Sequence, residues 1–146
     1  MAPAVTPPKE TVLIVDDEED ICDFLCQILN RLGLETAFAV TGEQAVELIA
    51  KKHWHLCVID LKLSTAVTAL DIMKAVREKS PDTIVVAMSG YIDLKLREQA
   101  EKFGVHDYLE KPGDLGPEVF SEKIKTLLSN MGPDPKGSDS GKPGNR

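Results

Sequence analysis

Aromatic residues are scarce: one Trp, two Tyr and four Phe make up 5% of the 146 residues. A surface that reads single-stranded nucleic acid by stacking on its bases needs more rings than that. Basic residues are outnumbered, 17 Lys and Arg against 24 Asp and Glu, and the net charge of −7 repels a phosphate backbone. Direct nucleic-acid binding is therefore not expected. Cysteine is limited to Cys22, Cys26 and Cys57, an odd number without Cys-x-x-Cys spacing. That excludes a disulfide framework or zinc site and suits reduced core thiols in a cytosol. No stretch approaches the ~18 apolar residues of a membrane span. The opening MAPAVTPPKE has neither a basic n-region nor an apolar h-region. The expectation is a cytoplasmic protein with no membrane partner.

What is present is an ordinary globular composition, 42% hydrophobic and 28% charged. A chain of this size buries about 68–70% of its unfolded surface and needs no metal or disulfide to fold. Residues 1–9 are proline-rich, and residues 131–146 contain the run GPDPKGSDSGKPGNR. Both have too little apolar content to offset ordering entropy, so a disordered N-terminal extension and a disordered tail or linker are expected around one domain over 10–130.

Inside that domain, short apolar runs alternate with helical patterns. Thr11–Val15, Leu56–Ile59 and Thr83–Met88 are continuous and rich in β-branched residues, as strands covered on both faces are. Leu34–Val40 and Val105–Leu109 are more mixed and suit the two edges. Ile21, Phe24, Leu25, Ile28, Leu29 and Leu32 make one helical stripe, and Ala69, Ile72, Met73 and Val76 another. Phe120, Ile124, Leu127 and Leu128 make the last, entered near Pro117. Thr41-Gly42-Glu43-Gln44 matches a capping box ahead of Ala45, Leu48 and Ile49. Ile92, Leu96, Ala100 and Phe103 form the weakest stripe, stopped by Gly104. Five successive βα units predict an α/β fold: a doubly wound, five-stranded parallel sheet with five helices.

Ligands of such sheets bind beyond the carboxyl ends of the strands, where strand order reverses. The polar residues least suited to a core fall there: Asp16 and Asp17 after the first strand, Asp60 after the third, Ser89 after the fourth and Lys111 after the fifth. With order 2-1-3-4-5, three carboxylates share one crevice. Such crowding raises at least one pKa unless a cation is present. Oxygen-only donors suit a hard ion, and Mg²⁺ needs only one or two carboxylates plus a phosphate oxygen. A carboxylate beside Mg²⁺ can act as nucleophile towards phosphorus, with Lys111 and Ser89 as partners for the phosphoryl oxygens.

These residues, with Tyr108-Leu109-Glu110-Lys111-Pro112, resemble the receiver (CheY-like) domain of bacterial two-component response regulators over about residues 10–130. The resemblance implies that Asp60 accepts a phosphoryl group. It implies that Asp16, Asp17, Asp60 and the Lys62 backbone carbonyl bind Mg²⁺, and that Ser89 and Lys111 contact the phosphoryl group. Ser89 and Tyr108 would be the switch residues, and the bond before Pro112 would be cis. It implies a sensor histidine kinase or histidine phosphotransfer protein as donor, and a downstream protein effector met through residues 92–128. Weak self-phosphorylation from acyl phosphates and weak autophosphatase activity would be its only catalysis.

The chain departs from the family pattern at Ser64, where receivers usually carry Pro, and in the run Thr65-Ala66-Val67-Thr68-Ala69, one residue longer than usual. Gly113 replaces a bulky residue and suggests a looser approach to the last helix. Lys62 and Tyr91, at positions where receivers vary, are expected to tune the lifetime of the phosphoryl group. A pseudo-receiver that is never phosphorylated is the alternative. A haloacid dehalogenase-type phosphatase would need a second acid where Asp60-Leu61-Lys62 has Lys62. A flavodoxin would need a hydroxyl- and glycine-rich loop where the chain has Asp16-Asp17-Glu18-Glu19-Asp20. Glu18, Glu19 and Asp20 read as acids at a helix start. His53, His55 and His106 read as surface or capping residues, Cys22 and Cys26 as core, and Trp54 as an anchor at the rim.

Overall fold

A computed structural model of the chain describes residues 9–90 and 94–130. The expected disordered ends, apart from Lys9, and the positions Tyr91 and Ile92 lie outside the described residues. Five strands, β1 (Thr11–Val15), β2 (Glu35–Ala39), β3 (Leu56–Asp60), β4 (Ile84–Ser89) and β5 (Asp107–Glu110), form one parallel sheet in the order 2-1-3-4-5. Between and after them run α1 (Glu19–Arg31), α2 (Gly42–Lys51), α3 (Ala69–Lys79), α4 (Leu94–Glu101) and α5 (Pro117–Asn130).

Alternation along the strands divides the core in two. Val12, Ile14, Val58, Val86 and Met88 face α1 and α5, where Cys22, Leu25, Leu29, Phe120 and Ile124 meet them. Leu13, Val15, Cys57, Ile59, Val85 and Ala87 face α2, α3 and α4, against Ala45, Ile49, Ile72, Met73, Val76 and Ala100. Every residue of β1 and β3 is buried, so these two central strands are fixed from both sides.

Several boundaries differ from the sequence reading. β3 and β4 run one residue further, so Asp60 and Ser89 are the last strand residues themselves. β5 begins at Asp107 rather than Val105, because His106 N–H still bonds Val85 O while the His106 ring accepts Val85 N–H, capping the entry. His55 Nδ1 accepts Thr11 N–H in the same way at 3.0 Å. At α2 the capping box is half-formed: Thr41 accepts Gln44 N–H, but Gln44 reaches back to Val40 N–H. A complete box caps α3 instead, through Thr68 and Asp71. Trp54 is not at the rim; it is 4% exposed, with Nε1 donating to Leu48 O. Nor is the stretch after Pro112 loose, since Gly113–Leu115 forms a 3₁₀ turn that buries Leu115. Asp114 closes this turn by accepting Glu110 N–H.

The longer loop after β3 packs on the start of α2. A Cβ on Gly42 would lie 2.1 Å from Val67 O and 2.7 Å from Val67 Cβ, so only glycine allows this approach. Gly42→Ala is expected to destabilise the protein by about 1–3 kcal/mol, the usual cost of overpacking, as read from the midpoint of urea unfolding.

Candidate functional site

Because all five strands run parallel, the carboxyl ends of β1, β3, β4 and β5 lie at one edge of the sheet. Asp16 follows β1 directly and is fully buried; Asp60 ends β3 and is 4% exposed; Asp17 is exposed. One oxygen from each lies within 4.8 Å of the others. The backbone orients two of them: Asp16 Oδ1 accepts Glu18 N–H at 2.9 Å, and Asp60 Oδ1 accepts Lys62 N–H at 3.0 Å. Lys111, just past β5, sends its ammonium into the same space, 2.8 Å from Asp16 Oδ2 and 3.2 Å from Asp60 Oδ2. Its backbone N–H is held by Ser89 O at 2.9 Å, tying the lysine to the end of β4. An open cleft of about 340 Å³ above these groups is lined by Asp17, Glu18, Asp60, Lys62, Gly90 and Lys111.

The electrostatics follow from burial. Desolvation raises the Asp60 pKa and the Asp16 charge adds to it, against the Lys62 amide and the Lys111 ammonium. Burial works against the Lys111 charge, but the hydrogen bond to Asp16 and the charges of Asp60 and Asp16 outweigh it, and its pKa rises. Asp17 is lowered, chiefly by the Ser64 hydroxyl.

The family of response regulator receiver domains matches residues 12–124. The chain belongs to that family. It is 35% identical over 126 residues to the response regulator protein PilR of Pseudomonas aeruginosa, covering 86% of this chain and 28% of PilR. It is 27% identical over 120 residues to the sporulation initiation phosphotransferase F of Bacillus subtilis, covering 82% of this chain and 94% of that protein. With the photosynthetic apparatus regulatory protein RegA of Rhodovulum sulfidophilum it shares 33% identity, over 82% of this chain and 62% of RegA. The chain thus spans less than two thirds of both PilR and RegA. Among solved structures, a CheY-like receiver domain from Methanospirillum hungatei superimposes with a TM-score of 0.78 at 26% identity, covering 85% of this chain and 97% of that one.

Receiver domains typically bind Mg²⁺, and the donor set of this receiver fits such an ion. Asp16, Asp17 and Asp60 offer only oxygen, the hard donors Mg²⁺ prefers. One ammonium cannot balance three carboxylates, and Glu18 Oε1, 3.7 Å from Lys111 Nζ, adds a fourth acid at the rim. Glu18 is therefore part of the site as well as the N-cap position of α1, where it makes no side-chain cap. Its sequence context, a run of acids at a helix start, concealed this.

The other sequence-predicted residues are distributed around the cluster. Ser89 is buried at the end of β4, beside the cleft-lining Gly90. The Lys111–Pro112 bond is cis. Tyr108 lies apart from the acids, on the α4 side. The Arg97 guanidinium stacks 3.9 Å from its ring centroid, and its hydroxyl donates to the Glu101 carboxylate. Burial and Glu101 push this phenol up to about 12. No membrane-spanning helix exists among the described residues.

The raised Asp60 pKa fixes a sign. The native state holds that proton more tightly than the unfolded chain, so the associated stability is present at low pH. It is lost as pH rises through the native pKa. At pH 7 the ionised group costs stability, so Asp60→Asn is expected to raise the thermal midpoint in metal-free buffer. The gain should shrink on acidification towards the ordinary carboxylate range, as followed by circular dichroism.

Proposed function

We propose that residues 10–130 act as a phosphorylation switch that accepts a phosphoryl group on Asp60. The observation that carries this reading is the Lys111 ammonium shared between Asp16 and Asp60 beneath an open cleft. It leaves Asp60 buried enough to be a poorly solvated nucleophile, yet open on the side from which a donor must arrive.

In this reading an Asp60 carboxylate oxygen attacks the phosphorus of a phosphohistidine on a sensor histidine kinase or phosphotransfer protein. A P–O bond forms, the P–N bond breaks, and the imidazole keeps the electron pair and takes up a proton. A small acyl phosphate would give the same product by breaking its P–O bond. Asp16, Asp17, Asp60 and the Lys62 backbone carbonyl would hold Mg²⁺, which when bound neutralises charge on the phosphoryl oxygens. Lys111 turns its ammonium from Asp60 to a phosphoryl oxygen, and the Ser89 hydroxyl donates to another. The rate gain comes from positioning and charge neutralisation.

Signal output requires two conformations of unequal affinity for the new dianion. Movement of Ser89 towards the phosphoryl group shifts the end of β4, and Tyr108 turns inward, leaving Glu101 and Arg97. Moving such an equilibrium from 1:99 to 99:1 takes about 5.5 kcal/mol, within reach of a few charged hydrogen bonds at roughly 1.5–3 kcal/mol each. The surface so altered, within residues 92–128, would meet a downstream protein effector in the cytoplasm.

Incubation with acetyl phosphate and Mg²⁺ is expected to add one phosphoryl group by intact-mass measurement, with none added to Asp60→Asn. No gain in the unmodified protein would identify a pseudo-receiver instead. Lys62 lines the cleft beside Asp60, so Lys62→Ala is expected to change the dephosphorylation rate several-fold. An unchanged decay of the phosphorylated mass would remove that role.

A further inference from the structure

The loop between β3 and α3 reaches back to the end of β1. Ser64 Oγ donates to Asp17 Oδ2 at 2.6 Å, and Ser64 N–H points to the same oxygen at 3.3 Å. Neither bond reaches Oδ1. Asp17 is the exposed member of the acidic cluster, so burial does not select its rotamer as it does for Asp16 and Asp60. The serine, in contrast, sits on a braced segment. Thr65 Oγ1 accepts Gly42 N–H at 3.1 Å and donates to Val67 O at 2.6 Å. Val67 in turn packs where a Gly42 side chain would be. The brace anchors Ser64 to the start of α2, and Ser64 passes that rigidity to a carboxylate that would otherwise rotate in water.

We propose that Ser64 is a positioning residue for the cation site, holding the Asp17 carboxylate in the orientation in which it shares a divalent ion with Asp16 and Asp60. The proposal rests on the metal reading above. An exposed carboxylate fixed in advance loses less rotamer freedom when the ion arrives, and outer hydrogen bonds that orient a ligand commonly decide metal affinity. Ser64 acts through Asp17 and not on the phosphoryl group.

Calorimetric titration of the full chain with MgCl₂, without any phosphoryl donor, tests this. Ser64→Ala is expected to weaken Mg²⁺ binding about tenfold, the low end for loss of an outer partner. Ser64→Thr, which keeps the hydroxyl at an exposed position, should restore it. In an Asp17→Asn background Ser64→Ala should have no further effect, the sign that the two act as one unit. Unchanged or tighter binding by Ser64→Ala, with binding weakened in Asp17→Asn, overturns the proposal and leaves the metal reading standing. Thr65→Ala, which loosens the brace, should weaken binding in the same direction. The proposal also falls if Ser64→Thr fails to rescue, or if Ser64→Ala weakens binding as much in the Asp17→Asn background as in the unmodified protein. Absence of Mg²⁺ binding by the unmodified protein overturns both readings.

Discussion

The ammonium of Lys111, lodged between the carboxylates of Asp16 and Asp60, is the contact on which the arrangement at the carboxyl edge of the sheet depends. Asp16 is fully buried and Asp60 nearly so, and two carboxylates in that environment repel unless a cation is close. The cation comes from just past the edge strand β5, across β4 and β3, to reach an acid just past β1. The backbone bond from Lys111 N–H to Ser89 O sets where its stem begins. The 3₁₀ turn at Gly113–Leu115, pinned by Asp114 and by the buried Leu115, holds the chain just beyond it.

Charge of this kind needs a rigid frame, because a mobile one would let the carboxylates separate into water. The frame is apolar. β1 and β3 are buried along their whole length, and each faces helices on both sides. At their ends the loops are cross-tied, β1 to the β3–α3 loop through Asp17 and Ser64, and that loop to α2 through Thr65, Gly42 and Val67. The central strands therefore carry the acids, and the loops set their approach.

Much of this was legible in the chain. Strands covered on both faces must be apolar throughout, so TVLIV and LCVI announced themselves. The stripes of α1, α3 and α5 followed the helical period because each helix packs one face on the sheet, except for Phe24 of α1, which is 45% exposed and lies outside the core. The order 2-1-3-4-5, expected as a common one for a doubly wound sheet, is the order observed. Legibility failed where a residue's role is set by a partner distant in sequence. His55 and His106 read as surface or capping residues and do cap strands, but that each accepts an N–H of a neighbouring strand is not encoded in composition. Gln44 bonds Val40 rather than Thr41, a choice of side-chain geometry within an otherwise correct motif. Glu18 looked like one acid in a helix-start run, and only the reach of Lys111 made it part of the cleft.

By itself the amino-acid order determined which chemical groups stand at the ends of the strands, since periodicity and turn residues place strand ends within a residue or two. Which of those groups meet was decided by the tertiary structure alone. Lys111 and Asp16 are 95 positions apart, and Ser64 and Asp17 are 47 apart. Their attraction depends on distance through space, and that distance exists only once the sheet has ordered its strands and the helices have closed both faces.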